Sequence, residues 1–199
     1  MDSDGHLLIC GCTNSGKSYL AKYLLFNPKG PLYGKYDLIL LISDIPDEIQ
    51  HNGGGGGYED IPSQHMKNDI SNDTLNKIKQ YAQKYNYDKK ILILFDDLNK
   101  VILDRESYNN IIYLFTEGRH FNIYTMALVQ YYKMLKPIIR GNSKYHILTQ
   151  INNVTLEELY NHVSHCFNNP NELKNFCKAL KLDKHVSICF NTHTTDTEI

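Results

Sequence analysis

One short segment near the start of the chain constrains its fold more than any other. Residues 11–18 read Gly-Cys-Thr-Asn-Ser-Gly-Lys-Ser, which matches the pattern G-x-x-x-x-G-K-[ST] at every fixed position. Glycines in this pattern let the backbone curl so that successive N–H groups point at phosphate oxygens. The N-terminus of the helix that follows adds a partial positive charge. The segment therefore predicts a phosphate-binding loop.

The residues around this loop support a nucleotide site. The apolar run His6–Cys10 is typical of a buried strand that enters the loop. Lys17 is expected to reach the β- and γ-phosphates, and the Ser18 hydroxyl is expected to hold Mg²⁺. The helix leaving the loop carries apolar residues at helical spacing, namely Tyr19, Leu20, Tyr23 and Leu24. The predicted nucleotide-binding residues are Gly11, Cys12, Thr13, Asn14, Ser15, Gly16, Lys17, Ser18 and Tyr19.

Two acids follow a second apolar run. Residues 91–95 read Ile-Leu-Ile-Leu-Phe and precede Asp96 and Asp97, which is the pattern of a Walker B element. A carboxylate at the carboxyl edge of a buried strand can hold the Mg²⁺ shell, the role predicted for Asp96. The second acid can polarise the attacking water, the role predicted for Asp97. The alternative is that the two acids only cap a turn, and the complete phosphate loop upstream disfavours it.

Three more candidates flank the next predicted strand, residues 122–129. Gln130 lies at its tip, where the amide could sense or orient the water beside the γ-phosphate; an ordinary exposed glutamine is the alternative. The chain has only three arginines, and two of them, Arg119 and Arg140, lie in loops at the edges of this unit. Arg119 is expected at the carboxyl edge of the sheet, where ligands bind in open α/β folds. Each arginine is a candidate finger that stabilises transition-state charge in a neighbouring subunit, with a surface salt bridge as the alternative.

The remaining pattern indicates one α/β domain. Predicted strands at residues 36–43, 145–149 and 185–190 alternate with helices, and a long loop covers about residues 51–68. A further loop is expected at residues 135–142, and Thr155 and Glu158 have the spacing of a capping box. Alternation of this kind implies a three-layer α/β fold with a mostly parallel sheet. Together with the phosphate loop, the expected fold class is a P-loop NTPase of the RecA/ASCE-like type. The chain of 199 residues suggests a single domain that includes the C-terminal helices and last strand at 150–199.

Composition limits the partners. The net charge of −1 provides no global basic field, so any contact with DNA must be local or made by an assembly. Five cysteines without a C-x-x-C pair indicate reduced thiols in an intracellular protein. No apolar run has the length of a membrane span, and no signal peptide precedes the first strand.

Two other functional classes compete with an ATP-driven motor. A small P-loop kinase that phosphorylates a metabolite usually closes an arginine-rich lid, and three arginines leave little to build one. A GTP-dependent switch protein needs an N-K-x-D element that reads guanine. The nearest candidate, Asn-Lys-Val-Ile at residues 99–102, lacks the aspartate, so ATP is favoured.

A set of spaced motifs resembles the poxvirus-type genome-packaging ATPases of the FtsK–HerA branch of P-loop motors. The set comprises ILILFDDL at 91–98, GRHFNI at 118–123, ALVQYY at 127–132 and IRGN at 139–142. The resemblance runs from about His6 to Thr149, and the residues after Thr149 add nothing to it. In the wider superfamily the second acid is often glutamate, whereas here it is the shorter Asp97.

This resemblance implies a complete functional setting. The family binds ATP and Mg²⁺ and moves double-stranded DNA into preformed capsids as a homo-oligomeric ring, pentameric or hexameric. The implied partners are double-stranded DNA and the capsid or portal vertex proteins, and the implied location is the host-cell cytoplasm at the site of virus assembly, with the virion as a second location. Lys133, Lys136 and the five-glycine run at 53–57 are candidates for the pore lining, although exposed lysines usually form a solvated face.

Overall fold

The computed structural model describes residues 1–43, 58–96, 104–149, 153–164, 166–179 and 187–192. Within them, the strands are β1 (His6–Cys10), β2 (Leu38–Ser43), β3 (Met66–Lys67), β4 (Ile91–Asp96), β5 (Ile123–Val129), β6 (Ser143–Leu148) and β7 (Ile188–Asn191). They form one sheet in the order β3-β2-β4-β5-β1-β6-β7. All neighbouring pairs are parallel except β6 and β7. The predicted α/β class with a mostly parallel sheet is confirmed.

Helices cover both faces of this sheet. They are α1 (Lys17–Phe26), α2 (Asn72–Lys84), α3 (Arg105–Glu117), α4 (Pro137–Gly141), α5 (Asn153–Val163) and α6 (Pro170–Ala179). Buried residues of α1 pack with one set of strand side chains. Buried residues of α2, α3, α5 and α6 pack with the other set. Because successive strand residues point to opposite faces, nearly continuous apolar strands such as β4 supply both cores.

The strand order brings the ends of three strands to one place. β1 lies between β5 and β6, and β5 in turn pairs with β4. Parallel strands share their carboxyl edge, so the last residues of β1, β4 and β5 lie on the same edge of the sheet. The chain turns to opposite sides of β1, a switch point of the type at which open α/β sheets bind ligands.

Three local predictions are wrong. The short strand β3 lies inside the predicted loop at 51–68. It forms because this segment pairs with Leu41 and Ile42 at the edge of the sheet. The predicted loop at 135–142 contains the helix α4, which begins at Pro137, a residue whose fixed φ suits a first helical turn. The capping box is also wrong, because α5 begins at Asn153 and Thr155 is buried inside it. Among the described residues, no helix is both long enough and apolar enough to cross a membrane.

Candidate functional site

The predicted phosphate loop lies between β1 and α1, at the carboxyl edge of the sheet. Gly16 immediately precedes α1 and has φ of 85°, in the left-handed region that favours glycine. A Cβ on Gly16 would have no described atom within 4 Å, so its requirement is conformational. Gly11 differs, because a Cβ there would overlap Thr149 Oγ1 and lie 2.5 Å from Ser15 Oγ. The two glycines are therefore needed for different reasons, backbone angle and space.

Hydrogen bonds fix this loop to the strands on either side of β1. The Gly11 amide donates to Val129 O of β5 at 3.1 Å, and the Thr149 amide donates to Cys10 O at 2.9 Å. The hydroxyls of Ser15 and Thr149 are 2.7 Å apart. Thr149 thus belongs to the site, a role that the sequence analysis missed. Its sequence signal was its place at the end of a predicted strand.

The Lys17 ammonium group lies at the loop itself. Its Nζ donates to Gly11 O and to Cys12 O, each at 2.8 Å. This places the positive charge predicted to meet the β- and γ-phosphates beside the backbone that would cradle them. Asn14, in the middle of the loop, has φ of 60°, a conformation that asparagine tolerates better than most residues. Lys17 is therefore brought together with the other predicted loop residues.

The predicted metal ligands also meet. Ser18, in the first turn of α1, donates its hydroxyl to Asp96 Oδ2 at 3.0 Å. Asp96 is the last residue of β4, two strands away from β1 in the sheet. A hydroxyl and a carboxylate are hard oxygen donors of the kind that Mg²⁺ takes. The residues present therefore fit the metal expected with a phosphate loop.

The hydroxyl of Tyr58 donates to the same carboxylate oxygen, Asp96 Oδ2, at 2.8 Å. Tyr58 is only 1% exposed. Burial raises the pKa of this phenol well above its ordinary value, and the Asp96 charge and the hydrogen bond to it raise the pKa further. The hydroxyl therefore stays protonated and donates. Tyr58 was not among the predicted site residues, because it directly follows the glycine run and belongs to no motif.

Two predicted catalytic residues follow strands of the site. Gln130 comes directly after β5 and is half-buried. The preceding carbonyl, Val129 O, accepts the Gly11 amide, so Gln130 borders the loop as predicted from its place in the sheet. Asp97, the predicted water-polarising acid, lies outside the described residues, and its role stays a prediction.

Arg119 is not at the predicted edge of the sheet. It is exposed in the 3-10 helix Gly118–Phe121 that immediately precedes β5. Because β5 is parallel to β1 and β4, the residues before it lie at the amino edge, opposite the loop. The placement at the carboxyl edge is wrong because α3 carries the chain back across the sheet after β4. A finger role in a neighbouring subunit's site stays a prediction.

Arg140 is buried within its own chain. It lies in α4, is 8% exposed, and donates from Nη1 to Glu158 Oε2 of α5 at 2.7 Å. Its guanidinium lies 5.1 Å from the centre of the Tyr132 ring. The hydrogen bond from Arg140 lowers the pKa of Glu158, and one from Lys133 lowers it further. These contacts join α4 to α5, and the predicted finger role of Arg140 remains untested.

A small cavity of about 230 Å³ adjoins the loop. Its lining includes Ser15, Gly16, Thr149 and the rings of Tyr19 and Tyr23. Tyr19 is 73% exposed, so its ring face is accessible. A larger cavity of about 890 Å³ lies between β2 and α2, and none of the described residues lining it belongs to the predicted site. The chemistry therefore favours the smaller cavity as part of the nucleotide site.

Comparisons with known proteins agree with this geometry. A family model described as Poxvirus A32 protein matches residues 2–197. The genome packaging NTPase B204 from Sulfolobus turreted icosahedral virus 2, in complex with AMP, is 14% identical with a TM-score of 0.64, over 100% of this chain and 98% of that chain. Its complex with ATP-gammaS gives 16% identity and a TM-score of 0.64, over 98% and 96% of the two chains.

A more distant likeness extends to another class of protein. The pCW3 conjugation coupling protein TcpA, in a monomer form with ATPgS, is 17% identical with a TM-score of 0.54. The match covers 79% of this chain and 52% of that one. At these identities the likeness to solved structures shows a shared fold. No curated protein sequence matches the chain.

Proposed function

The chain belongs to the Poxvirus A32 protein family, and on that premise we propose that it is an ATP-hydrolysing motor that packages a viral genome by translocating double-stranded DNA. The observation that carries the proposal is the site itself. A complete phosphate loop and the Ser18–Asp96 pair meet at the carboxyl edge of a mostly parallel sheet. The fold shared with B204, a genome packaging NTPase solved in complex with AMP and with ATP-gammaS, supports the same assignment.

The geometry supports the proposed nucleotide-binding roles. The backbone of residues 11–18 would cradle the phosphates, and Lys17 would neutralise their charge. Ser18 and Asp96 would hold Mg²⁺, which supplies neutralisation of the charge on the β- and γ-phosphates when bound. The adenine base would lie against Tyr19 in the small cavity, because a planar base stacks on an aromatic ring.

The chain's other residues would serve hydrolysis. Gln130 would orient the attacking water from its place beside the loop, and Asp97 would draw a proton from that water. A metabolite kinase is less favoured, because neither Arg119 nor Arg140 lies over the loop as a lid residue would. Arg140 is buried against Glu158, and Arg119 lies at the opposite edge of the sheet.

Membership of the family supports the proposed partners. The whole chain, residues 1–199, would act as one P-loop ATPase domain in a homo-oligomeric ring around double-stranded DNA, docked on the capsid or portal vertex in the host-cell cytoplasm. Lys133 and Lys136 are exposed and follow Gln130 closely. DNA bound to these lysines would therefore be linked to the nucleotide site by a short segment of the chain. Lys133 also pairs with Glu158 at 3.2 Å, which reduces its free charge. The glycine run at 53–57 lies outside the described residues.

The test is the ATPase rate of the full chain with and without double-stranded DNA, measured over a range of protein concentrations. A ring motor predicts stimulation by DNA and a specific activity that falls on dilution as the ring dissociates. Lys17→Ala is the control, because loss of its ammonium should abolish turnover and weaken nucleotide binding. An ATPase rate that depends neither on DNA nor on protein concentration would contradict the proposed motor. It would favour a monomeric phosphotransferase instead.

A further inference from the structure

We propose that Tyr58 is a positioning residue for the metal site: its hydroxyl holds the Asp96 carboxylate in the orientation that faces Ser18. The inference rests on the proposed nucleotide hydrolysis and adds a residue that no motif of the chain contains. Tyr58 acts through Asp96, because its hydroxyl contacts the carboxylate.

The geometry gives the carboxylate two donors on one oxygen. Asp96 Oδ2 accepts from the Tyr58 hydroxyl at 2.8 Å and from the Ser18 hydroxyl at 3.0 Å. Rotation of the carboxylate away from Ser18 would break both hydrogen bonds. Partners of this type, behind the groups that bind a metal, fix the orientation of those groups and tune their affinity.

The position of the Tyr58 hydroxyl is itself set by packing. The ring is buried in the apolar cluster on the α1 side of the sheet, which also contains Leu41, Ile61 and Leu94. Leu41 and Leu94 belong to β2 and β4, the strands next to the carboxylate. A ring held on this scaffold cannot swing its hydroxyl away from Asp96 without opening the core.

The chemistry of the contact makes this hydroxyl the donor. A carboxylate oxygen only accepts, so the phenol proton of Tyr58 is directed at Asp96 Oδ2. A protonated phenol is a poor ligand for Mg²⁺ compared with a carboxylate, which assigns direct metal contact to Asp96 and Ser18. The half-buried Asp96 carboxylate also needs donors to offset the hydration it has lost, and Tyr58 supplies one.

The experiment compares Tyr58→Phe with the parent full chain. The measurement is the affinity of a fluorescent, non-hydrolysable ATP analogue, first in EDTA and then as Mg²⁺ is titrated. Loss of the hydroxyl should leave the affinity in EDTA within about twofold of the parent and raise the half-saturating Mg²⁺ concentration about tenfold, at the lower end of effects for such partners. An unchanged Mg²⁺ midpoint, or an equal loss of affinity with and without Mg²⁺, would overturn the proposal.

Tyr145→Phe is the matched control. Tyr145 is buried in the same apolar cluster, but its hydroxyl accepts from the Asp2 amide at 3.0 Å instead of contacting the site. This variant should keep the parent's Mg²⁺ midpoint. If it shifts the midpoint as far as Tyr58→Phe does, the effect reflects general loosening of the cluster and the positioning role is wrong.

A double-mutant cycle with Asp96→Asn covers both stability and folding. In the Asp96→Asn background, Tyr58→Phe should cause no further change in the Mg²⁺ midpoint and a smaller loss of unfolding free energy than in the parent. If Tyr58→Phe alone does not fold, the pair Tyr58→Phe/Asp96→Asn should fold, because Asp96→Asn removes the charge that had lost its Tyr58 donor. Failure of the pair to recover would assign Tyr58 to the core alone.

The same data separate this inference from the proposed function. A parent chain that binds the analogue without any dependence on Mg²⁺ would contradict the ATPase assignment itself. A parent that depends on Mg²⁺, with a Tyr58→Phe variant that behaves identically, would leave the ATPase in place and refute only the positioning role.

Discussion

Replacing Gly11 by alanine tests whether the loop is shaped by the contact with Thr149. The new Cβ would overlap Thr149 Oγ1 and lie 2.5 Å from Ser15 Oγ. Relief requires these two hydroxyls, now 2.7 Å apart, to separate. The lost hydrogen bond costs about 1 kcal/mol, and the overpacking costs about 1–3 kcal/mol. Gly11→Ala should therefore lower the free energy of unfolding by about 2–4 kcal/mol, measured by chemical denaturation.

A second variant tests whether the overlap with Thr149 causes this loss of stability. Thr149→Ala removes the overlapping oxygen, so Gly11→Ala should cost less in its background, and the two changes should be non-additive by about 1 kcal/mol or more. Gly16→Ala is the matched control, because its cost comes from positive φ, about 1–2 kcal/mol, and not from an overlap. Thr149→Ala should not rescue Gly16→Ala. Additive effects for Gly11 and Thr149 would refute the steric reasoning.

Three further predictions concern the acids and arginines. Asp97→Asn should still bind Mg-ATP but hydrolyse it about 10²-fold more slowly, whereas Asp96→Asn should mainly weaken the Mg²⁺ dependence; identical kinetics would refute this division of roles. Arg119→Ala should bind ATP without hydrolysing it and regain activity when mixed with Asp97→Asn, and the absence of rescue would exclude Arg119 as a finger in trans. Because Arg140 lowers the pKa of Glu158, their pair stabilises the fold above the ordinary glutamate pKa and is lost as pH falls through the lowered value. Glu158→Gln should therefore lower the thermal midpoint near pH 7 and have a progressively smaller effect in acid, and a pH-independent difference would contradict this.

The parts of the site that could be predicted are those encoded by local patterns. Residues 11–18 and Asp96 each follow an apolar strand, and parallel strands share their carboxyl edge, so their meeting follows from the alternation of elements. The family is confirmed as well. The sequence motifs supported it from about His6 to Thr149, and the family model extends the match to residues 2–197.

The parts that could not be predicted depend on contacts between distant residues. Tyr58 reaches Asp96 from a segment without any motif, and Thr149 meets Ser15 only because β6 pairs with β1. Neither contact leaves a periodic signal in the chain. The hydrogen bond between Arg140 and Glu158 could not be predicted either, because it depends on how α4 packs on α5.

The error on Arg119 has a different cause. Its sequence position, between a helix and a strand, was interpreted as the carboxyl edge of the sheet. In a parallel sheet, however, the residue that precedes a strand lies at the amino edge, and β5 is parallel to its neighbours. The sheet topology alone therefore determines at which edge Arg119 lies. A finger role for Arg119 requires a neighbouring subunit that approaches the amino edge of the sheet.

ATP-driven displacement of a triplex-forming strand from linear double-stranded DNA measures directly whether the chain moves along duplex DNA. A protein that moves along duplex DNA strips a third strand from its path, whereas one that only binds DNA and hydrolyses ATP leaves it in place. We expect displacement that requires ATP, Mg²⁺ and Lys17, at a rate that falls as the protein is diluted. Steady hydrolysis of ATP on the same DNA without any displacement would contradict the assignment of this chain as a DNA-translocating motor.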